Sequence, residues 1–120
     1  VYNIVPPPRK MFCGIPRKLD VGPCEFLSMI KNAEFVVTNS FHGTAFSTTF
    51  EKPYVSIVSD KADTRMHSLL AQLGLSDHLV TKDNIDVDKI MATDFTPVRN
   101  KKKALRQTSF DYLKNALKGL

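Results

Sequence analysis

The residues best suited to chemistry in this sequence are a histidine and the small residues beside it. Ser40, His42, Gly43 and Thr44 lie close together within the stretch 32–50. An imidazole titrates near neutral pH, so His42 could donate a proton or a hydrogen bond to a ligand. Gly43 allows a tight backbone, and the exposed amides of a helix start favour an anion. The pattern predicts an anion-binding turn with a proton donor beside it.

The segments around this turn indicate the structure that would position it. Residues 35–38 are aromatic and β-branched, which favours a buried strand, and residues 44–50 can continue from the turn as a helix. Residues 54–58 indicate a second strand, so the segments form a β-α-β unit with parallel strands and a right-handed crossover. Ligands bind at the carboxyl ends of such strands, where this turn lies.

Two basic residues follow the second predicted strand. Lys61 lies in the loop 59–64, and Arg65 comes directly after it. This loop leaves the sheet at the same edge as the turn at 40–44, because the strands are parallel. Both cations could therefore converge with His42 on one crevice.

A purely structural interpretation of the same residues is also open. The polar residues of the turn would then cap a helix, and the two basic side chains would be solvated. A short motif is weak evidence without its context. The sequence predicts both a strand before the turn and a helix after it, which favours a functional site.

Length and composition indicate one α/β domain over residues 1–120. The chain is 42% hydrophobic and 24% charged, and a chain of this length can bury a core without disulfides or metals. It contains no apolar run long enough to cross a membrane, and its start lacks the charged leader of a signal peptide. Because it also lacks an initiator methionine, we expect a piece of a longer protein.

The net charge of +5 is concentrated near both ends of the chain. Such clusters could attract anions, but no zinc spacing, RNP-type pattern or helix-turn-helix accompanies them, so no nucleic-acid partner is expected. Cys13 and Cys24 are predicted to be free thiols. His67 and His78 are predicted to be surface or capping residues, because neither has partners at metal-ligand spacing. No metal site is predicted.

The remaining segments predict helices around the sheet. Residues 6–20 mix proline, glycine and basic residues and are predicted to form a mobile loop. Gly22-Pro23 marks a helix start, and Gly74 is predicted to end the helix that follows the second strand. The longest helix is predicted from Val98 or Arg99 to Lys118. The apolar residues predicted for its inner face are Leu105, Phe110, Leu113, Ala116 and Leu117.

Longer strings in the chain point to a known family. They are Gly-Pro-Cys-Glu-Phe-Leu at 22–27 and Val-Thr-Asn-Ser-Phe-His-Gly-Thr-Ala-Phe-Ser at 37–47. Further strings are Glu-Lys-Pro at 51–53, Arg65 with Ser-Leu-Leu at 68–70, Leu-Gly-Leu at 73–75, and the tail 106–117. With these motifs, nearly the whole chain from Asp20 onward resembles the carboxyl-terminal portion of the polysaccharide pyruvyl transferase family.

The resemblance implies a fold and a reaction. The fold would be a Rossmann-like parallel sheet flanked by helices, similar to the second lobe of a GT-B glycosyltransferase. The reaction would transfer pyruvyl from phosphoenolpyruvate to a sugar hydroxyl of a polysaccharide or its precursor, forming a ketal. His42 matches the functional histidine of the family, which would contact the phosphoenolpyruvate or protonate its methylene carbon. The residues that would bind this anionic donor are Ser40, Gly43, Thr44, Lys61 and Arg65.

The resemblance also implies partners and a location. The partners are phosphoenolpyruvate, a saccharide acceptor and a missing N-terminal lobe of the same protein, and no cofactor is implied besides the donor substrate. Since a GT-B cleft lies between two lobes, we expect this chain alone to be inactive. The expected location is the cytoplasm, including the inner face of the membrane. Two alternatives stay open: a lobe of a nucleotide-sugar glycosyltransferase, and a non-catalytic α/β interaction domain.

Overall fold

The computed structural model describes residues 20–58, 64–81 and 85–119. Its elements are α1 (Pro23–Asn32), β1 (Val36–Thr38), α2 (Phe41–Thr49), β2 (Tyr54–Ile57), α3 (Thr64–Leu73), a 3-10 turn (Ser76–His78), β3 (Leu79–Val80), α4 (Val87–Met91) and α5 (Thr96–Leu117). Cys13, Lys61 and all of the predicted loop 6–20 except Asp20 lie outside these residues.

The three strands form one parallel sheet in the order β1-β2-β3. Val36 pairs with Tyr54 across the first two strands, and Ser56 pairs with Leu79 across the second pair. The helices α2 and α3 connect consecutive strands. The turns that follow β1 and β2 therefore leave the sheet at the same edge, its carboxyl edge. The predicted α/β class, a parallel sheet flanked by helices, is confirmed.

Alternate residues of β2 anchor two separate hydrophobic clusters, because successive side chains of a strand point to opposite faces. Tyr54 packs in a cluster with buried residues of α3 and with Val98 of α5. Its neighbour Val55 packs in the other cluster with Val80 and Ile90. The central strand is thus covered on both faces, which holds its carboxyl end in place beneath the site described below.

Hydroxyl groups join α2 to β2. The Thr44 and Ser56 hydroxyl oxygens are 2.7 Å apart, and those of Thr48 and Tyr54 are also 2.7 Å apart. Burial raises the pKa of Tyr54 to about 12, so its phenol stays protonated and available for this bond. Ser47 is also fully buried, but its hydroxyl has no hydrogen-bond partner in the described part of the chain.

Two predicted helix ends are observed. Pro23 lies in the first turn of α1, where its missing N–H costs no intrahelical bond. Gly74 follows α3 with a φ of 74°, a left-handed conformation that glycine adopts without steric cost. In the part of the chain described here, no helix is long and apolar enough to cross a membrane.

The prediction that His78 is a surface or capping residue is wrong. Its side chain is buried, with 2% of its surface exposed, and its ring centroid lies 4.5 Å from that of Tyr54. The Nδ1 atom is 2.8 Å from the Tyr54 carbonyl oxygen, and Nε2 is 3.1 Å from the Thr93 hydroxyl. Since a carbonyl can only accept, Nδ1 carries the proton and Nε2 accepts from Thr93. His78 therefore joins the sheet to the segment after α4.

The predicted inner face of α5 is also not buried. Val98 is the buried residue of this helix, and its second half extends beyond the core. From Leu105 onward, the large apolar and aromatic side chains are between about two-fifths and three-quarters exposed: Leu105, Phe110, Tyr112, Leu113 and Leu117. The helical period was predicted correctly, but the described residues provide no surface that covers this face.

Candidate functional site

The Ser40 side chain does not cap helix α2 at the turn that follows β1. Ser40 precedes the helix in an extended conformation, and its hydroxyl makes no capping bond. Instead, its N–H donates to the Thr38 hydroxyl oxygen at 3.1 Å. The exposed Ser40 hydroxyl therefore remains available to a ligand, and the purely structural role of a capping serine is not observed here.

The first turn of α2 contains three backbone N–H groups that make no intrahelical hydrogen bond. The first intrahelical bond runs from the Thr44 N–H to the Ser40 carbonyl at 3.0 Å. The N–H groups of Phe41, His42 and Gly43 precede it, and none of the described residues accepts a hydrogen bond from them. Helix starts of this kind attract anions because their N–H groups and the helix dipole both present positive charge.

Gly43 allows α2 to begin directly against the end of β1. A Cβ atom at this position would stand 2.9 Å from Thr38 Cβ and closer still to its hydroxyl oxygen. The lack of a side chain therefore lets the helix start approach the strand. Gly43 itself is buried in the first turn of α2.

His42 lies at the surface beside this helix start. Its side chain is exposed, and its ring stands edge-on to Phe41 with centroids 5.9 Å apart. An exposed imidazole can exchange protons with an external ligand, whereas a buried one such as His78 cannot do so without opening the fold. The position of His42 thus meets the first requirement for a proton donor.

Arg65 approaches the same turn from α3. Its guanidinium carbon lies 5.3 Å from the centroid of the Phe41 ring, within the range of a cation–π contact. Phe41 therefore contacts both His42, at the start of α2, and Arg65, at the start of α3. Lys61 and the rest of the segment between β2 and α3 lie outside the described residues, so the convergence of both cations with His42 stays a prediction.

Thr44 lies beneath the surface of the site. Its side chain is fully buried, and its Oγ1 is 3.0 Å from the Ser40 carbonyl, 2.7 Å from Ser56 Oγ and 3.4 Å from Met66 Sδ. Its N–H is used in the first helical bond. Both groups are therefore engaged within the fold. Thr44 holds the turn against β2 and α3, whereas direct contact with a ligand was expected from the sequence.

The other polar groups do not form a second centre of this type. The described residues contain no cluster of three histidine, cysteine or carboxylate side chains that could hold a metal ion. Cys24 and His67 are both exposed. The buried His78, which the sequence prediction placed at the surface, is a structural residue because both of its ring nitrogens are used internally.

A protein-family model described as polysaccharide pyruvyl transferase matches residues 12–61. This segment includes α1, β1, α2 and β2, and therefore the whole turn with His42. It ends at Lys61 and leaves out Arg65. The resemblance expected from the sequence is confirmed over this segment, which is less than half of the chain. Comparisons with curated proteins and with solved structures gave no match.

Proposed function

We propose that this chain is the donor-side lobe of an enzyme that transfers pyruvyl from phosphoenolpyruvate to a sugar hydroxyl. The observation that carries the proposal is the position of His42. It is exposed beside three amides of the α2 start that have no acceptor among the described residues, at the carboxyl edge of the parallel sheet. The match to the polysaccharide pyruvyl transferase family covers this turn.

The first step is to hold the donor. Phosphoenolpyruvate carries a phosphate and a carboxylate, and either group suits the N–H groups of Phe41, His42 and Gly43. The exposed Ser40 hydroxyl adds a further donor at the edge of the turn. Arg65 supplies positive charge across the Phe41 ring, and we assign the same role to Lys61.

The second step is proton transfer. In this proposal the imidazolium of His42 gives its proton to the methylene carbon of phosphoenolpyruvate, which becomes a methyl group. The central carbon then has cation-like character, and a sugar hydroxyl attacks it. Departure of phosphate and attack by a second hydroxyl close the ketal. The acceptor hydroxyls release two protons: one replaces the proton that His42 gave up, and the other is taken by the departing phosphate.

A second lobe is required for turnover. We propose that the present sheet forms the second lobe of a GT-B-like enzyme and that the saccharide acceptor binds on a preceding lobe. The donor contacts described above lie at one open edge of the sheet, and no residue described here closes over them. The 120-residue chain is therefore expected to bind the donor weakly and to be inactive on its own.

The experiment is an NMR titration of the chain with phosphoenolpyruvate, with inorganic phosphate and with a nucleotide sugar in separate samples. Amide shifts centred on residues 40–43 with phosphoenolpyruvate, larger than those with phosphate, support the proposal. Shifts with the nucleotide sugar alone would indicate a glycosyltransferase lobe. A chain that responds to none of the three ligands would have the properties of a non-catalytic interaction domain, which contradicts the proposal.

His42→Gln tests the histidine itself, and His67→Gln is the matched control because both side chains are exposed. We expect the first variant to lose the phosphoenolpyruvate response and the second to retain it. The free energy of unfolding of both variants should lie within about 0.5 kcal/mol of that of the unchanged chain, as is usual for surface positions. A clear loss of stability in His42→Gln would indicate a structural residue and contradict its assigned role.

A further inference from the structure

One face of α5 is basic along its first half and apolar along its second half. Its positions recur at alternating spacings of four and three residues, which places them in a single row along the helix. We call this row the α5 seam, and its residues are Arg99, Lys103, Arg106, Phe110, Leu113 and Leu117. Its first half is therefore basic, and its second half is apolar.

The basic half of the seam lines a groove of about 490 Å³ between α2, α3 and α5. Ala45, Leu69 and Leu73 contribute apolar surface to the groove, while Lys103 and Arg106 contribute positive charge together with Lys102.

One cation of the seam already has a partner within the chain. Arg99 forms two hydrogen bonds with the Glu51 carboxylate, at 2.6 and 2.7 Å. In the described part of the chain, no carboxylate pairs with Lys102, Lys103 or Arg106. Among the described residues, the groove therefore presents Lys103 and Arg106 with no carboxylate against them, and Lys102 within the field of the Glu51 carboxylate.

The apolar half of the seam begins where the groove ends. The guanidinium carbon of Arg106 lies 5.3 Å from the centroid of the Phe110 ring, so the two halves are continuous. Phe110 is 53% exposed, Leu113 is 52% exposed and Leu117 is 60% exposed. A ligand that covers the whole seam must offer negative charge at one end and apolar surface at the other.

Two occupants fit this pattern poorly. A second copy of α5 would place cations against cations in a parallel pair, and cations against leucines and Phe110 in an antiparallel pair. A bilayer is flat, but α2 and α3 stand across the groove from the basic half. They would keep a membrane surface from lying along the full seam.

We infer that the α5 seam is a docking surface for an acidic amphipathic helix of a partner protein. A partner helix that lies alongside α5 would place its leucine-type side chains on Phe110, Leu113 and Leu117. Its carboxylates would then reach Lys102, Lys103 and Arg106. This is helix-in-groove recognition, in which apolar residues anchor the ligand and charge selects it. The inference is independent of the proposed transferase reaction.

The test uses a synthetic helical peptide as the probe. It carries leucines along one face, with glutamates flanking one half of that face, and a control peptide has lysines in place of the glutamates. Isothermal titration calorimetry with the 120-residue chain should show binding of the acidic peptide alone. Absence of binding, or equal binding of both peptides, would overturn the inference.

Variants of α5 locate the contact. Leu113→Ser should weaken binding of the acidic peptide about tenfold or more, as for a truncated apolar anchor. Tyr112→Ser is the matched control, because Tyr112 is exposed on the same helix but lies outside the seam. Both positions are exposed, so circular dichroism should show that both variants remain folded. Equal binding by the two variants would refute the assignment of the seam.

Two further measurements separate the other occupants. Sedimentation equilibrium should show a monomer, and a dimer that Leu113→Ser dissociates would overturn the inference in favour of self-association. Co-sedimentation with vesicles of phosphatidylcholine and phosphatidylglycerol should show no binding that depends on Leu113. Vesicle binding that Leu113→Ser abolishes would instead identify a membrane surface and refute the helix partner.

Discussion

Gly43→Ala tests how tightly the start of α2 is packed against β1. The added methyl group would stand 2.9 Å from Thr38 Cβ and 3.2 Å from Thr38 Cγ2. Thr38 Cβ is fixed by the strand backbone, so rotation of the side chain cannot relieve that contact. The helix start must therefore shift, and overpacking of this kind costs about 1–3 kcal/mol. Because this contact is shorter than 3.0 Å, the upper part of that range applies, about 2–3 kcal/mol. Alanine recovers about 1 kcal/mol through its higher helix propensity, which leaves a net loss of about 1–2 kcal/mol.

The measurement is urea unfolding of the 120-residue chain, followed by far-ultraviolet circular dichroism. Gly119→Ala is the control, because a Cβ at Gly119 meets no atom within 4 Å. A double-mutant cycle with Thr38→Gly, which removes the contacting side chain, should recover most of the Gly43→Ala loss. The reasoning would be refuted if Gly43→Ala were as stable as the unchanged chain, or if the loss were the same in the Thr38→Gly background.

Two other perturbations follow from burial. Leu70→Ala should lower the free energy of unfolding by about 2–5 kcal/mol because Leu70 is fully buried. Leu113→Ala should lower it by less than about 1 kcal/mol because half of that side chain is already exposed. Similar losses in urea unfolding for both would contradict this assignment. Burial lowers the pKa of His78 below its usual 6.5. Below pH 6.5 the unfolded chain therefore binds more protons than the folded chain, and the free energy of unfolding should decrease as the pH is lowered. His78→Asn should flatten this part of the stability profile, and an unchanged slope would contradict the assignment.

The central β-α-β unit could be predicted because its signals are local. The apolar and β-branched residues of both strands, the polar turn and the helix are each complete within a few consecutive positions. The exposure of His42 followed from the same local pattern. The contact of Arg65 with Phe41 was not predicted, although parallel topology places the start of α3 near the start of α2.

The burial of His78 and Thr44 could not be predicted, because their partners are distant in sequence. His78 is buried by Tyr54 and Thr93, which lie 24 and 15 residues away. Thr44 is held by Ser56 and Met66, at separations of 12 and 22 residues. A hydroxyl or imidazole in a motif has the same identity whether it faces solvent or the core, and only the fold decides between them.

The prediction that the apolar face of α5 is buried was wrong for a different reason. The periodicity of its apolar residues was evident in the sequence, and such a face usually packs on the core of the same domain. Periodicity reports that a helix has an apolar face, but it does not report whether the same chain supplies the surface that covers it.

The hydroxyl contacts between α2 and β2 have a mechanical consequence. An interface of aliphatic side chains tolerates small sliding movements, because dispersion forces depend weakly on direction. Hydrogen bonds between Thr44 and Ser56 and between Thr48 and Tyr54 require correct angles as well as distances. Two such bonds, one helical turn apart on α2, resist both translation and rotation of the helix along the strand. The two bonds therefore fix the helix start, which carries His42, in one position relative to the central strand.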